Sequence, residues 1–123
     1  KSTQDSEWDT IEKYLINSPY IKSIHLSGIS INKYGLEKLG LIIRMNNRIK
    51  SLNLEWNFLN ELVDEFEDFS DSICQSNVSY LSLNNNKLNT SHKKAILNLV
   101  QSNKICFLSL KWNEIGNDIV KNI

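Results

Sequence analysis

The chain has 123 residues, with 14 Lys+Arg balanced by 14 Asp+Glu, so its formal net charge is zero. That length fits one domain, and the charge balance argues against a nucleic-acid or anionic-membrane binder held by bulk positive charge. Apolar residues make up 41%, two cysteines are too few for a disulfide framework, and no apolar run approaches the roughly 18 residues of a membrane span.

The polar start, Lys1 to Trp8, lacks the apolar core of a signal peptide. Trp8, Ile11, Tyr14, Leu15 and Ile16 follow a helical period, which predicts an amphipathic helix over Ser6–Ser18, ended by Pro19. This helix is expected to cap the first unit of a repeat array that begins near Ile21.

Four segments of that array align. Three are Ile49-Lys50-Ser51-Leu52-Asn53-Leu54-Glu55-Trp56-Asn57-Phe58-Leu59, Val78-Ser79-Tyr80-Leu81-Ser82-Leu83-Asn84-Asn85-Asn86-Lys87-Leu88 and Ile105-Cys106-Phe107-Leu108-Ser109-Leu110-Lys111-Trp112-Asn113-Glu114-Ile115. Each has apolar residues at positions 1, 4, 6 and 11 and Asn at position 9. The first copy keeps Ile21, Ile24, Leu26 and Ile31 but has Ile29 in place of Asn. Ile24, Leu52, Leu81 and Leu108 are separated by 28, 29 and 27 residues. Positions 4 and 6 point to one face of a short strand. The Asn is expected to turn inward and form a ladder, since its amide both donates and accepts.

Between these segments the apolar period becomes helical: Leu36, Leu39, Ile43 and Met45; then Leu59, Leu62, Phe66, Phe69 and Ile73; then Ala95, Ile96, Leu99 and Val100. Ser91 is the expected cap of the last of these, with Lys93 and Lys94 facing solvent. A further helix over Asp118–Asn122 starts and stops within a turn or two. Strand and helix alternating at a fixed period predict an α/β solenoid, a short right-handed horseshoe with a parallel concave sheet and helices on the convex side. The chain reads as a single domain over residues 1–123, with repeats starting near 21, 49, 78 and 105 and the last truncated.

The pattern L-x-x-L-x-L-x-x-N-x-L at this period resembles the leucine-rich repeat, in its ribonuclease-inhibitor-like subtype, from about Ile21 to Ile123. The resemblance implies a horseshoe whose concave face or rim docks another protein. Its departures are Ile29 and the lack of the strict Cys/Leu alternation of ribonuclease inhibitor itself.

In this frame, positions 3, 5, 7 and 8 line the concave face or its edge. The candidate partner-binding residues are His25, Asn53, Glu55, Trp56, Tyr80, Ser82, Asn84, Phe107, Ser109, Lys111 and Trp112. Tyr80 and Phe107 are expected to be cross-strand neighbours, and aromatics in a polar concave setting have the composition of a binding hot spot. Position 8, with Trp56 and Trp112, has a second reading, in which the ring folds back over the strand-to-helix turn. Glu61, Asp64, Glu65, Glu67, Asp68 and Asp71 are expected on one helix without a basic residue. They read either as a solvated face or as a docking strip for a basic partner, and the reversal to His92, Lys93 and Lys94 in the next helix allows lateral pairing.

Catalytic signatures are not found: there is no Cys-x-x-Cys, His-Glu-x-x-His, phosphate-binding glycine loop or Gly-x-Ser-x-Gly. Neither enzymatic activity nor a cofactor or metal is expected. The sequence thus predicts a non-enzymatic protein-interaction module, an N-terminal or partial segment of a larger cytoplasmic scaffold, with no nucleic acid and no membrane span. Two alternatives stand beside it. One is a self-assembling cytoskeletal or centrosomal unit joined through its uncapped C-terminal end. The other is a GTPase-regulating repeat protein, for which Arg44 and Arg48 are the available arginines.

Overall fold

The computed structural model describes residues 3–115. Helix α1 (Thr3–Leu15) leads into strand β1 (Ser23–His25), helix α2 (Lys33–Met45), strand β2 (Ser51–Asn53), helix α3 (Val63–Gln75), strand β3 (Tyr80–Ser82), helix α4 (Lys93–Gln101) and strand β4 (Phe107–Ser109). Short 3-10 turns, Leu59–Glu61 and Thr90–His92, precede α3 and α4. The four strands form one parallel sheet in the order β1-β2-β3-β4, with Ile24, Leu52, Leu81 and Leu108 in register. The helices form a second layer in the same order, each packed on its neighbour.

The repeat pattern explains the core. Position 4 of every repeat is buried, as is position 11, Ile31, Leu59, Leu88 and Ile115. Position 1 is buried at Ile49, Val78 and Ile105, and half-buried at Ile21. The helices close over this surface with Leu36, Leu39, Ile42 and Ile43, then Phe66, Phe69 and Ile73, then Ala95, Ile96 and Leu99. The alternating parallel β/α solenoid is therefore present as the spacing predicts.

Helix α1 extends the helix layer and seals one side of α2. Trp8 is 1% exposed, seated where Gly35 leaves room; a Cβ at Gly35 would lie 2.3 Å from the indole Nε1. A polar seam runs beside it. The Asn32 amide donates to Asp5 at 3.0 Å and the Asn32 N–H to Gln4 at 3.1 Å, while the Tyr34 hydroxyl donates to Asp9. Lys38 Nζ reaches Glu12 at 3.0 Å and Asp9 at 3.7 Å. The hydrogen bond to Glu12 raises the Lys38 pKa above its ordinary value. Asn46, buried at the end of α2, donates to the Leu15 and Ser18 carbonyls at 2.8 and 3.1 Å and so closes the end of α1.

Several local expectations are corrected. The first helix spans Thr3–Leu15 rather than Ser6–Ser18, and ends before Pro19. Tyr14 and Met45 are exposed, because both lie off the stripes that face the core. Leu59 lies in a 3-10 turn and Leu62 is the residue before α3, so that helix starts later than the apolar period suggests. Asn89, not Ser91, caps the segment before α4: its side chain accepts from the Ser91 N–H at 2.9 Å, and its own N–H donates to His92 Nδ1 at 3.2 Å. The helix expected over Asp118–Asn122 lies outside the described residues.

Candidate functional site

The concave surface is shaped by the Asn ladder beneath its edge. Asn57 donates to the carbonyls of Leu26 (2.7 Å), Leu54 (2.9 Å) and Glu55 (3.2 Å), and accepts from the N–H groups of Ile29 (3.1 Å) and Ile31 (3.4 Å). Asn86 repeats this one coil later, with Leu54, Leu83 and Asn84 as acceptors and Asn57 and Leu59 as donors. Asn113 does so again, on Leu83, Leu110 and Lys111, with Asn86 and Leu88 donating. Each side chain joins its own coil to the preceding one, as expected. In the first coil Ile29 stands where the later coils have this Asn.

The tight turn that brings Asn inward forces its neighbours into the left-handed region. Position 8 has φ of 68° at Gly28, 62° at Trp56, 60° at Asn85 and 58° at Trp112. Position 10 has φ of 51° at Ser30, 55° at Phe58 and 56° at Lys87. Gly and Asn adopt this conformation easily, whereas a bulky side chain there costs about 1–2 kcal/mol. The Trp rings do not recover that cost by covering the core, since Trp56 is 56% and Trp112 is 73% exposed. Phe58 is also exposed, with Lys87 Nζ 5.4 Å from its ring centroid. The loop edge therefore presents three aromatics to solvent.

On the sheet itself, Tyr80 and Phe107 are register partners and stack face to face, with ring centroids 4.5 Å apart and planes 7° from parallel. Tyr80 is 43% exposed and Phe107 half-buried, so the pair forms a flat apolar plate open to solvent. Beside them run polar rows. Ser82, Asn84 and Ser109, expected as partner-facing residues, are buried instead. They are part of the face's own structure: Asn84 Oδ1 accepts from the Ser109 hydroxyl and the Lys111 N–H, each at 2.7 Å. Asn84 then donates to Glu55 Oε1 at 3.1 Å, and Asn53 donates to Glu55 Oε2 at 2.8 Å. Asn53 is held in turn by the Glu55 N–H at 3.0 Å and the Ser27 hydroxyl at 3.4 Å. Two neutral amides thus fix both oxygens of one half-buried carboxylate in the middle of the sheet's edge. His25 and Lys111 are exposed at either side.

The acidic strip is less uniform than its sequence. Asp64, Glu65, Glu67, Asp68 and Asp71 lie on α3, but Glu61 belongs to the preceding 3-10 turn. Glu67 pairs with Lys94 across to α4 at 3.0 Å, which raises the Lys94 pKa mainly through that hydrogen bond. Asp71 accepts from Asn98 at 2.8 Å. Lateral charge pairing between neighbouring helices is realised at Glu67 and Lys94. His92 takes no part: it is buried, edge-on to Phe66 at 5.7 Å, with its ring nitrogen serving the backbone.

Among the described residues, no group of three or more His, Cys, Asp or Glu is placed to hold a metal ion. No helix there is long and apolar enough to cross a membrane. Cys74 is half-buried, with Sγ 3.7 Å from the Asn98 carbonyl, and Cys106 is exposed.

Sequence reasoning missed two features of this surface. The left-handed turn positions had a signal in Gly28 and Asn85, masked by the Trp residues at the same place in the other repeats. The amide clamp on Glu55 had only the spacing of Asn53, Glu55 and Asn84.

Leucine-rich repeat-containing protein 45 of Gallus gallus is 36% identical to this chain over 76 residues, 61% of the chain. The chain spans 11% of that relative's length. No protein-family model matches, and no solved structure matches. The chain thus has a leucine-rich-repeat-containing relative, and its architecture is a solenoid of that type.

Proposed function

We propose that this chain is a non-enzymatic docking module of the ribonuclease-inhibitor-like repeat subtype, which binds another protein on its concave face. The subtype reading is supported by repeat steps of 27–29 residues with a full helix in the middle repeats. The docking reading rests on one observation above the others: the stacked Tyr80–Phe107 plate stands open on the sheet. Such a pair contributes about 0.5–1.5 kcal/mol beyond its buried area, which a fold can obtain more fully in its core. Exposed aromatics on a rigid surface lose little entropy on binding, which suits them to anchor a partner.

The test is affinity capture from a native lysate of the source organism, with wild-type protein beside a Tyr80→Ala/Phe107→Ala variant of verified fold. The expected result is a partner retained by the wild type and lost from the variant. A partner retained equally by both moves the docking surface off the concave plate, toward the acidic face of α3. Recovery of the protein alone favours self-assembly.

A further inference from the structure

Building on that docking reading, we infer that the concave face recognises an extended segment of another protein with one basic residue for Glu55 and one large apolar residue for the Tyr80–Phe107 plate. The Glu55 carboxylate is half-buried and held at both oxygens by Asn53 and Asn84. Among the described residues no cation lies within ion-pair distance of it, and what sets it apart from the other carboxylates without a cation is that both its oxygens are held. Neutral amides orient a carboxylate without cancelling its charge. Each oxygen retains acceptor capacity, and the ordering cost is met before a ligand arrives. An Arg guanidinium matches that geometry with two parallel donors.

Lys111 sharpens the choice. It shares position 7 with Glu55 but lies two strands away, about 9–10 Å at the usual strand spacing. That is beyond a direct pair, yet close enough to disfavour a run of positive charge at low salt. The face therefore fits a single basic residue rather than a polybasic tract.

The repeat frame also sets the spacing. Glu55 is at position 7, and Tyr80 and Phe107 are at position 3 of the next two strands. Four residues along a strand is about 13 Å and one strand across about 4.8 Å, so the two features are about 14 Å apart. An extended peptide covers that in about four residues. Side chains four apart on such a peptide also face the same way, so both can point at the sheet.

The experiment is selection of random 12-residue peptides displayed on phage, run in parallel on the wild type, Glu55→Gln, and Tyr80→Ala/Phe107→Ala, each checked for fold by circular dichroism. The expected wild-type consensus is Arg or Lys four residues from an aromatic or Leu. On Glu55→Gln the basic preference is lost and the apolar one kept, and a synthetic consensus peptide binds about tenfold more weakly. On the double variant the apolar preference is lost. A consensus without a basic residue, or a basic preference unchanged on Glu55→Gln, overturns this inference while leaving the docking plate in place. Absence of any enrichment overturns it too. Selections identical on all three proteins overturn both readings.

Discussion

Two regions of this molecule use the same chemical groups to opposite ends. At the seam between α1 and α2, Asp9 and Glu12 meet Lys38, Tyr34 donates to Asp9, and Trp8 is driven into the gap over Gly35. Lys38 serves both carboxylates and the large ring is buried. On the concave face and its edge, Glu55 is held by amides alone, while Trp56, Trp112 and Tyr80 stand in solvent. The seam is closed on itself, whereas the face is ordered but left with charge and apolar area unspent. Surfaces that only solvate a fold do not need oriented carboxylates or strained tryptophans.

The largest expected effect tests the seam. Gly35→Ala places a methyl group into the Trp8 indole, and since the clash is with a buried ring and not a flexible tip, it should destabilise the protein by about 1–3 kcal/mol. Urea denaturation followed by circular dichroism measures this; an unchanged midpoint would mean that α1 is not wedged in place. A smaller effect, of opposite sign, tests the loop edge. Trp56→Asn installs the residue found naturally at Asn85, with φ 60°. It should stabilise the chain by about 1 kcal/mol through relief of the left-handed backbone, and weaken partner binding. Loss of stability instead would show that the exposed ring supports the fold. The smallest effect again concerns the seam. The Lys38 pKa is raised above 10.5 in the folded state, so its contribution is complete below that pH and disappears as pH rises through the folded value. At 23% exposure this pair is worth only a fraction of a kcal/mol. Faster amide exchange in α1 relative to α3 above pH 10.5, after correction for the intrinsic rate, is the expected signature.

The parts legible from sequence were those where one residue type answers one physical need. Asn57, Asn86 and Asn113 recur because the inward turn requires a group that both donates and accepts, and the register of Leu52, Leu81 and Leu108 follows from alternation. What stayed hidden depended on neighbours. Ser82 and Ser109 carry polar side chains at positions that alternation turns outward, yet the adjoining side chains cover them. His92 reads as a surface charge from its sequence neighbours Lys93 and Lys94, but its ring replaces a backbone acceptor. The left-handed turns were obscured because residues that adopt them willingly, Gly28 and Asn85, alternate with residues that do not.

The ladder also gives the molecule a direction. Asn86 and Asn113 each reach back to the coil before them and never forward with their amide donors. The backbone of one coil is therefore completed only when its successor is in place: Asn113 supplies the acceptor for the Asn86 and Leu88 N–H groups. Damage should accordingly spread asymmetrically. Loss of one ladder residue weakens the coil on its N-terminal side more than the coil on its C-terminal side, so that unravelling runs toward the N-terminus like a row of dominoes that falls one way.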